Sequence, residues 1–290
     1  MLHELANPEL RVLIKPLGAE LTSIRSRRED LEYLWQGDPA YWAGQSYILF
    51  PIVGGLPDGG YRWKNEPYRM KPHGFARNAE FELLEQTKDR LTLRLCESEA
   101  TLAQYPFRFE LLITYALDGN RLLHGFTVIN RSDAEMPFSI GGHPGFRCPL
   151  LPGEDMSDYR IEFECPESLV SQVKTDGLLT GQTVPFLENA GSKPLTHDLF
   201  RNGAAILHGV KSNWLEIRNE RNPHVIRVDY AGFPDLGIWS SANNGPFVCI
   251  EPWFGYDSTH GDAPDFEQKK GLLRLAAGKT FSCAYTMTFS

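Results

Sequence analysis

The 290-residue sequence predicts an all-β protein, a large antiparallel β-sandwich with very few short helices. Apolar residues alternate with others in several segments, short turn signals separate those segments, and helical periodicity is almost absent. Leu91, Leu93 and Leu95 form one apolar face, because successive side chains on a strand point to opposite sides. Phe109, Leu111, Ile113, Tyr115 and Leu117 form a second, Leu215 and Ile217 a third, and Ile226, Val228 and Tyr230 a fourth. The clearest comes last: Phe281, Cys283, Tyr285, Met287 and Phe289 alternate with serine, threonine and alanine.

Lys64-Asn65, Lys88-Asp89, Asp118-Gly119-Asn120 and the stretch from Asn219 to Pro223 read as hairpin connections. Only Ser98 to Gln104 and Thr196 to Phe200 carry a capping residue before a short helical pattern. The segments Cys148 to Asp158 and Leu187 to Pro194 are rich in Pro, Gly, Asp and Ser and read as surface loops. Neither is long enough for a domain boundary, so residues 1–290 are expected to form one domain.

A net charge of -8 argues against nucleic acid or an anionic membrane as partner, since both require a basic surface. The N-terminus has neither a basic leader nor an apolar signal core, and no apolar run reaches the length of a spanning helix. The five cysteines are scattered and form no CxxC pair, which suits reduced, mostly buried thiols in a cytoplasmic protein.

Three stretches depart from routine strand or turn: Lys71-Pro72-His73-Gly74-Phe75-Ala76-Arg77-Asn78, Ile140-Gly141-Gly142-His143-Pro144-Gly145-Phe146, and Ile250-Glu251-Pro252-Trp253-Phe254-Gly255. Each sets an ionisable side chain beside Gly or Pro after an apolar segment, as a rigid scaffold presents a group to a ligand. Glycines around His143 suggest a backbone that approaches a ligand closely, with Pro144 fixing the exit of a turn. The competing reading is a structural histidine bonded to a carbonyl. Glu251 ends an apolar run, where burial would raise its pKa toward that of a useful base, although a strand-end glutamate is also a common solvated charge. Asp235 reads equally as a turn former after Pro234, Arg77 as an ion-pair partner, and Trp239 and Trp253 as core or as a surface for a sugar ring.

Metal ligation has no sequence support: HxH, HExxH and paired Cys/His spacings are missing. So are GxGxxG, GxxxxGK[ST] and GxSxG, which removes the usual signals for nucleotide binding and serine hydrolysis.

The order Phe50-Pro51-Ile52-Val53-Gly54, His73-Gly74-Phe75-Ala76-Arg77, Gly142-His143-Pro144, Pro234-Asp235-Leu236 and Glu251-Pro252-Trp253 resembles the aldose 1-epimerase (galactose mutarotase-like) family, in its LacX-related branch. The likeness extends through Phe266-Glu267-Gln268-Lys269-Lys270-Gly271 to the last strand. It implies a cofactor-free, metal-free β-sandwich that interconverts the anomers of a free hexose, as monomer or homodimer. His143 would protonate the ring oxygen and Glu251 would take the anomeric proton. His73 would stabilise the ring oxygen or a neighbouring hydroxyl, while Asp235, Arg77, Asn78 and Trp253 would bind the sugar.

One departure stands out. Gly55 occupies the place where many relatives carry arginine, leaving Arg77 or Arg62 to compensate. A hexose-6-phosphate 1-epimerase, with Arg77, Arg62 and Lys71 holding phosphate, is the nearest alternative, followed by a sugar-binding or regulatory protein without turnover.

Overall fold

Alternation of buried and partly open residues runs unbroken through Phe109–Asp118, where Phe109, Leu111, Ile113, Tyr115 and Leu117 are all buried. The computed structural model describes residues 1–290 and realises the other alternating segments in the same way. Arg90–Cys96, Trp214–Asn219, Val225–Asp229 and Thr280–Phe289 are strands, with Tyr230 buried just beyond the third. Lys64 and Asn65 form a two-residue connection in which both residues have positive φ, 50° and 69°, matching the twist of a hairpin.

These strands join one fourteen-stranded antiparallel sheet. Its order is Ser46–Leu49, Ile140–Arg147, Phe247–Phe254, Asp235–Trp239, Ala205–His208, Tyr159–Thr175, Trp214–Asn219, Val225–Asp229, Thr280–Phe289, Arg121–Asn130, Phe109–Asp118, Arg90–Cys96 and Glu82–Gln86, with Leu178–Pro194 paired to Tyr159–Thr175. Strands far apart in this order touch, so the sheet curls over a shared interior. Phe146 and Phe289 have ring centroids 6.5 Å apart, and Phe50 and Phe109 5.1 Å. The three-stranded sheet of His3–Ala6, Leu10–Lys15 and Glu20–Ser26 packs on the same interior, where the Tyr115 hydroxyl donates to the Ala19 carbonyl. A continuous cluster of 63 buried apolar residues results, the expected outcome for layered β-sheet packing.

Helix is confined to Glu99–Leu102, capped by Ser98, and short 3-10 turns including His197–Phe200. Residues 187–194 are not a loop but the end of the long strand Leu178–Pro194, which follows its partner through several register shifts. Bulges allow Gly, Asn and Pro into a strand that regular alternation would not reveal. The five cysteines are unpaired, but only Cys148 and Cys249 are buried and Cys96 is exposed. No helix is long and apolar enough to cross a membrane.

Candidate active site

Antiparallel pairing of Ile140–Arg147 with Phe247–Phe254 sets Gly141 against Trp253 and Gly145 against Cys249, a register that carries His143 opposite Glu251. Both residues therefore lie within central strands, not at the turn or strand end that the sequence suggested. The glycines near His143 serve the protein's own aromatic rings instead of a ligand. A Cβ would lie 2.6 Å from Trp253 at Gly141, 2.4 Å from the Tyr285 hydroxyl at Gly142 and 2.8 Å from Trp42 at Gly145.

His143 Nε2 is 3.2 Å from Glu251 Oε2, with both residues buried. The contact is an ion-pair distance without hydrogen-bond alignment. Glu251 Oε2 and His143 Nδ1 are buried without a hydrogen-bond partner, an uncommon state for buried polar atoms, and the Trp253 indole N–H lies close enough to Glu251 to oppose the rise in its pKa. Burial pushes Glu251 well above the usual carboxylate range, opposed by the Lys174 ammonium. Burial also pushes His143 well below 6.5, reinforced by His73 and Arg77. A carboxylate beside a histidine ordinarily favours the charged pair, but here burial outweighs it and the neutral forms of both groups are favoured.

His73 enters from the turn after Pro72 with φ of 67°, and its Nδ1 accepts the Gly54 N–H at 3.2 Å. The neutral ring consequently carries its proton on Nε2. Burial lowers its pKa, so it stays a neutral donor near pH 7. Its ring centroid is 5.9 Å from that of His143. The Arg77 guanidinium sits over the Tyr47 ring at 5.2 Å and donates to the Pro72 carbonyl, with no carboxylate partner. Trp253 lies between Gly141 and Gly237, each of which leaves room for its indole.

His143, Glu251, His73, Arg77 and Trp253 thus line one cavity of about 310 Å³. That falls within the size range of small-ligand sites. Two other candidates do not join them. Asn78 is exposed and lines a different cavity with Lys71, because the short turn Ala76–Asn78 aims it away. Asp235 is buried on the same face of its strand as Trp239, four residues further along and beyond the cavity lining. It binds His208 Nδ1 at 2.6 Å and accepts the Gly255 N–H at 3.1 Å.

Sequence reasoning missed Trp42, Tyr47, Lys174 and Asp257, all of which line the cavity. Lys174 precedes the Asp176-Gly177 turn, a hairpin signal that would have placed it at a strand end. Its ammonium lies 2.6 Å from buried Asp257, which also accepts the Gly55 N–H at 2.7 Å. A Cβ on Gly55 would meet the Gly177 carbonyl at 2.5 Å. The hairpin therefore seats against Gly55 and brings a cation beside it. Arg62 does not compensate: it is half exposed, 4.0 Å from Asp265 and outside the cavity lining.

Strand register also gathers donors that linear spacing did not reveal. Ligand atoms of His143, Cys249 and Glu251 lie within 4.8 Å of one another. Burial holds the Cys249 thiol well above 9 and Glu251 above its usual range, so a metal would have to displace both protons.

The aldose 1-epimerase family model matches residues 1–285. The chromosomal LacX protein of Lactococcus lactis subsp. lactis is 37% identical, with 99% of each chain covered. The galactose mutarotase related enzyme of Lactobacillus acidophilus superposes with a TM-score of 0.96 at 34% identity, covering 100% of this chain and 97% of that one. A galactose mutarotase-like protein of Lactobacillus casei ATCC 334 gives 0.93 at 29%, with both chains fully covered. With the fold, the curled sheet and the motif order all in agreement, the chain belongs to the aldose 1-epimerase family.

Proposed function

We propose that the protein interconverts the α and β anomers of a free hexose, with His143 as acid and Glu251 as base. The observation that carries this reading is the 3.2 Å approach of two buried, oppositely shifted proton carriers in a sugar-sized cavity. Ring opening moves two protons at oxygens bonded to the same carbon: one leaves the anomeric hydroxyl and one reaches the ring oxygen. Two groups this close can serve both oxygens at once.

The pair holds one proton. Before a sugar binds, burial favours its residence on Glu251. An anomeric hydroxyl donating to Glu251 stabilises the carboxylate and releases that proton to His143. Glu251 then takes the anomeric proton while His143 protonates the ring oxygen, and the C1–O bond to the ring breaks. Rotation about the C1–C2 bond and reclosure, with the two roles exchanged, give the other anomer. Neutral His73 donates to the ring oxygen or a neighbouring hydroxyl, Arg77 orients the sugar, and Trp253 lies under its apolar face.

Arg77, free of any carboxylate, is the one feature that favours an anionic sugar such as a hexose 6-phosphate. Lys71 and Arg62 lie outside the cavity, and Lys174 is neutralised by Asp257. Polarimetry with freshly dissolved α-D-glucose and α-D-galactose, compared with glucose 6-phosphate, tests the assignment. Accelerated mutarotation of the free hexoses supports it. Acceleration of the phosphate alone transfers the role to that substrate, and acceleration of none leaves a sugar-binding protein.

A further inference from the structure

Cys249 and Glu251 are two apart on one strand, so their side chains share a face, and His143 meets them from the neighbouring strand. The imidazole Nε2 and the carboxylate Oε2 are 3.2 Å apart, close to the roughly 3.4 Å edge of a tetrahedron built on metal–ligand bonds of about 2.1 Å. The Cys249 sulfur lies within 4.8 Å of ligand atoms on both, and no other His, Cys, Asp or Glu side chains form such a group of three. Gly145, paired with Cys249 across the ladder, sets no side chain against the sulfur. A second observation points into the same space: Glu251, 1% exposed, has its Oε2 without a hydrogen-bond partner. Anomer interconversion uses the histidine and the glutamate and leaves the thiol without a role.

Ligand type and charge select the ion. Zn²⁺ accepts thiolate, imidazole and carboxylate together, whereas Mg²⁺ and Ca²⁺ take oxygen ligands. Zn²⁺ replaces the thiol proton and the one held by the His143–Glu251 pair. Zn–S, Zn–N and Zn–O bonds form, two protons leave to solvent, and the net charge of the site is unchanged. A neutral centre suits surroundings that penalise charge. The cavity that His143 and Glu251 line supplies the route of entry and a water for the fourth position. We infer that His143, Cys249 and Glu251 form an inhibitory Zn²⁺ site, in which the metal takes both proton carriers out of catalysis. The inhibition rests on the epimerase reading; the binding does not.

Titration with Co²⁺, a spectroscopic substitute for Zn²⁺, tests the site in the reduced Cys96→Ser protein, which lacks the exposed thiol. One equivalent is expected to raise a thiolate-to-cobalt charge-transfer band in the near ultraviolet that Zn²⁺ abolishes. In the same background Cys249→Ser should lose the band and Glu251→Gln should weaken cobalt binding. Zn²⁺ should inhibit mutarotation and Mg²⁺ should not. Cys249→Ser should keep the uninhibited rate and raise the Zn²⁺ inhibition constant at least about 100-fold, the upper end of what loss of an outer-shell partner costs. Absence of the band, its persistence at wild-type affinity in Cys249→Ser, or equal inhibition of the two proteins overturns the site. Cys249→Ala takes the place of the serine variant if a buried hydroxyl prevents folding, and unchanged cobalt affinity in the isosteric Glu251→Gln also overturns the site. If no sugar is turned over, the epimerase reading fails, while the band and its dependence on Cys249 still decide the metal site.

Discussion

His143 Nε2 and Glu251 Oε2 lie 3.2 Å apart on neighbouring antiparallel strands, in surroundings that penalise charge on either. Their protonation is consequently a property of the pair.

The pH dependence of kcat/KM, which reports groups of the free protein, follows from the directions of the two shifts. The active pair carries one proton. Glu251, raised above 4.5, loses its proton only at higher pH, and His143, lowered below 6.5, gains a second one only at lower pH. A broad plateau extending beyond both ordinary values is expected from initial rates across pH 4 to 9. A narrow optimum between 4.5 and 6.5 would show that burial does not control the pair.

Lys174→Met should shift the alkaline limb upward, because the ammonium lowers the Glu251 pKa. It also leaves Asp257 buried without its cation, at a cost of about 3 kcal/mol. Denaturant unfolding and the rate profile check the two effects separately. An unmoved limb would remove Lys174 from the electrostatics of the site.

Gly237→Ala should displace Trp253, since a Cβ there would lie 2.5 Å from its ring and Gly141 closes the other side. Overpacking of this kind costs about 1–3 kcal/mol. Because the indole forms part of the cavity wall, KM should rise more than kcat falls. Unchanged KM with lowered stability would give Trp253 a packing role alone.

Acid should destabilise the fold through buried histidines. His124, whose Nδ1 lies 2.7 Å from the Tyr285 hydroxyl, is pushed by burial down to about 3. In the unfolded chain it protonates near 6.5, so between those values the unfolded state binds the extra proton and stability falls as pH drops. One such histidine contributes about 1.4 kcal/mol per pH unit across that window. His124→Gln should flatten the fall in thermal stability between pH 6.5 and 3. An equal slope would refute the contribution.

The strands were legible wherever one face is buried and the other open, as in Phe109–Asp118 and Thr280–Phe289. Leu187 to Pro194 was not, because its pairing depends on bulges that break the alternation. Motif order identified His143, Glu251, His73, Arg77 and Trp253, five residues that converge on one cavity. It also named Asp235, which bonds to His208 instead, and Asn78, which a short turn aims elsewhere. Lys174 and Asp257 escaped because they meet across 83 positions through a hairpin seated on Gly55. Nothing local in either segment signals that meeting.

Polarimetric mutarotation of α-D-glucose and α-D-galactose by the wild type, His143→Ala and Glu251→Gln tests the paired proton carriers most directly. Acceleration by the wild type and a loss of at least about 100-fold in each variant are expected, the lower end of a single acid–base contribution. Either variant retaining wild-type acceleration would contradict the pair.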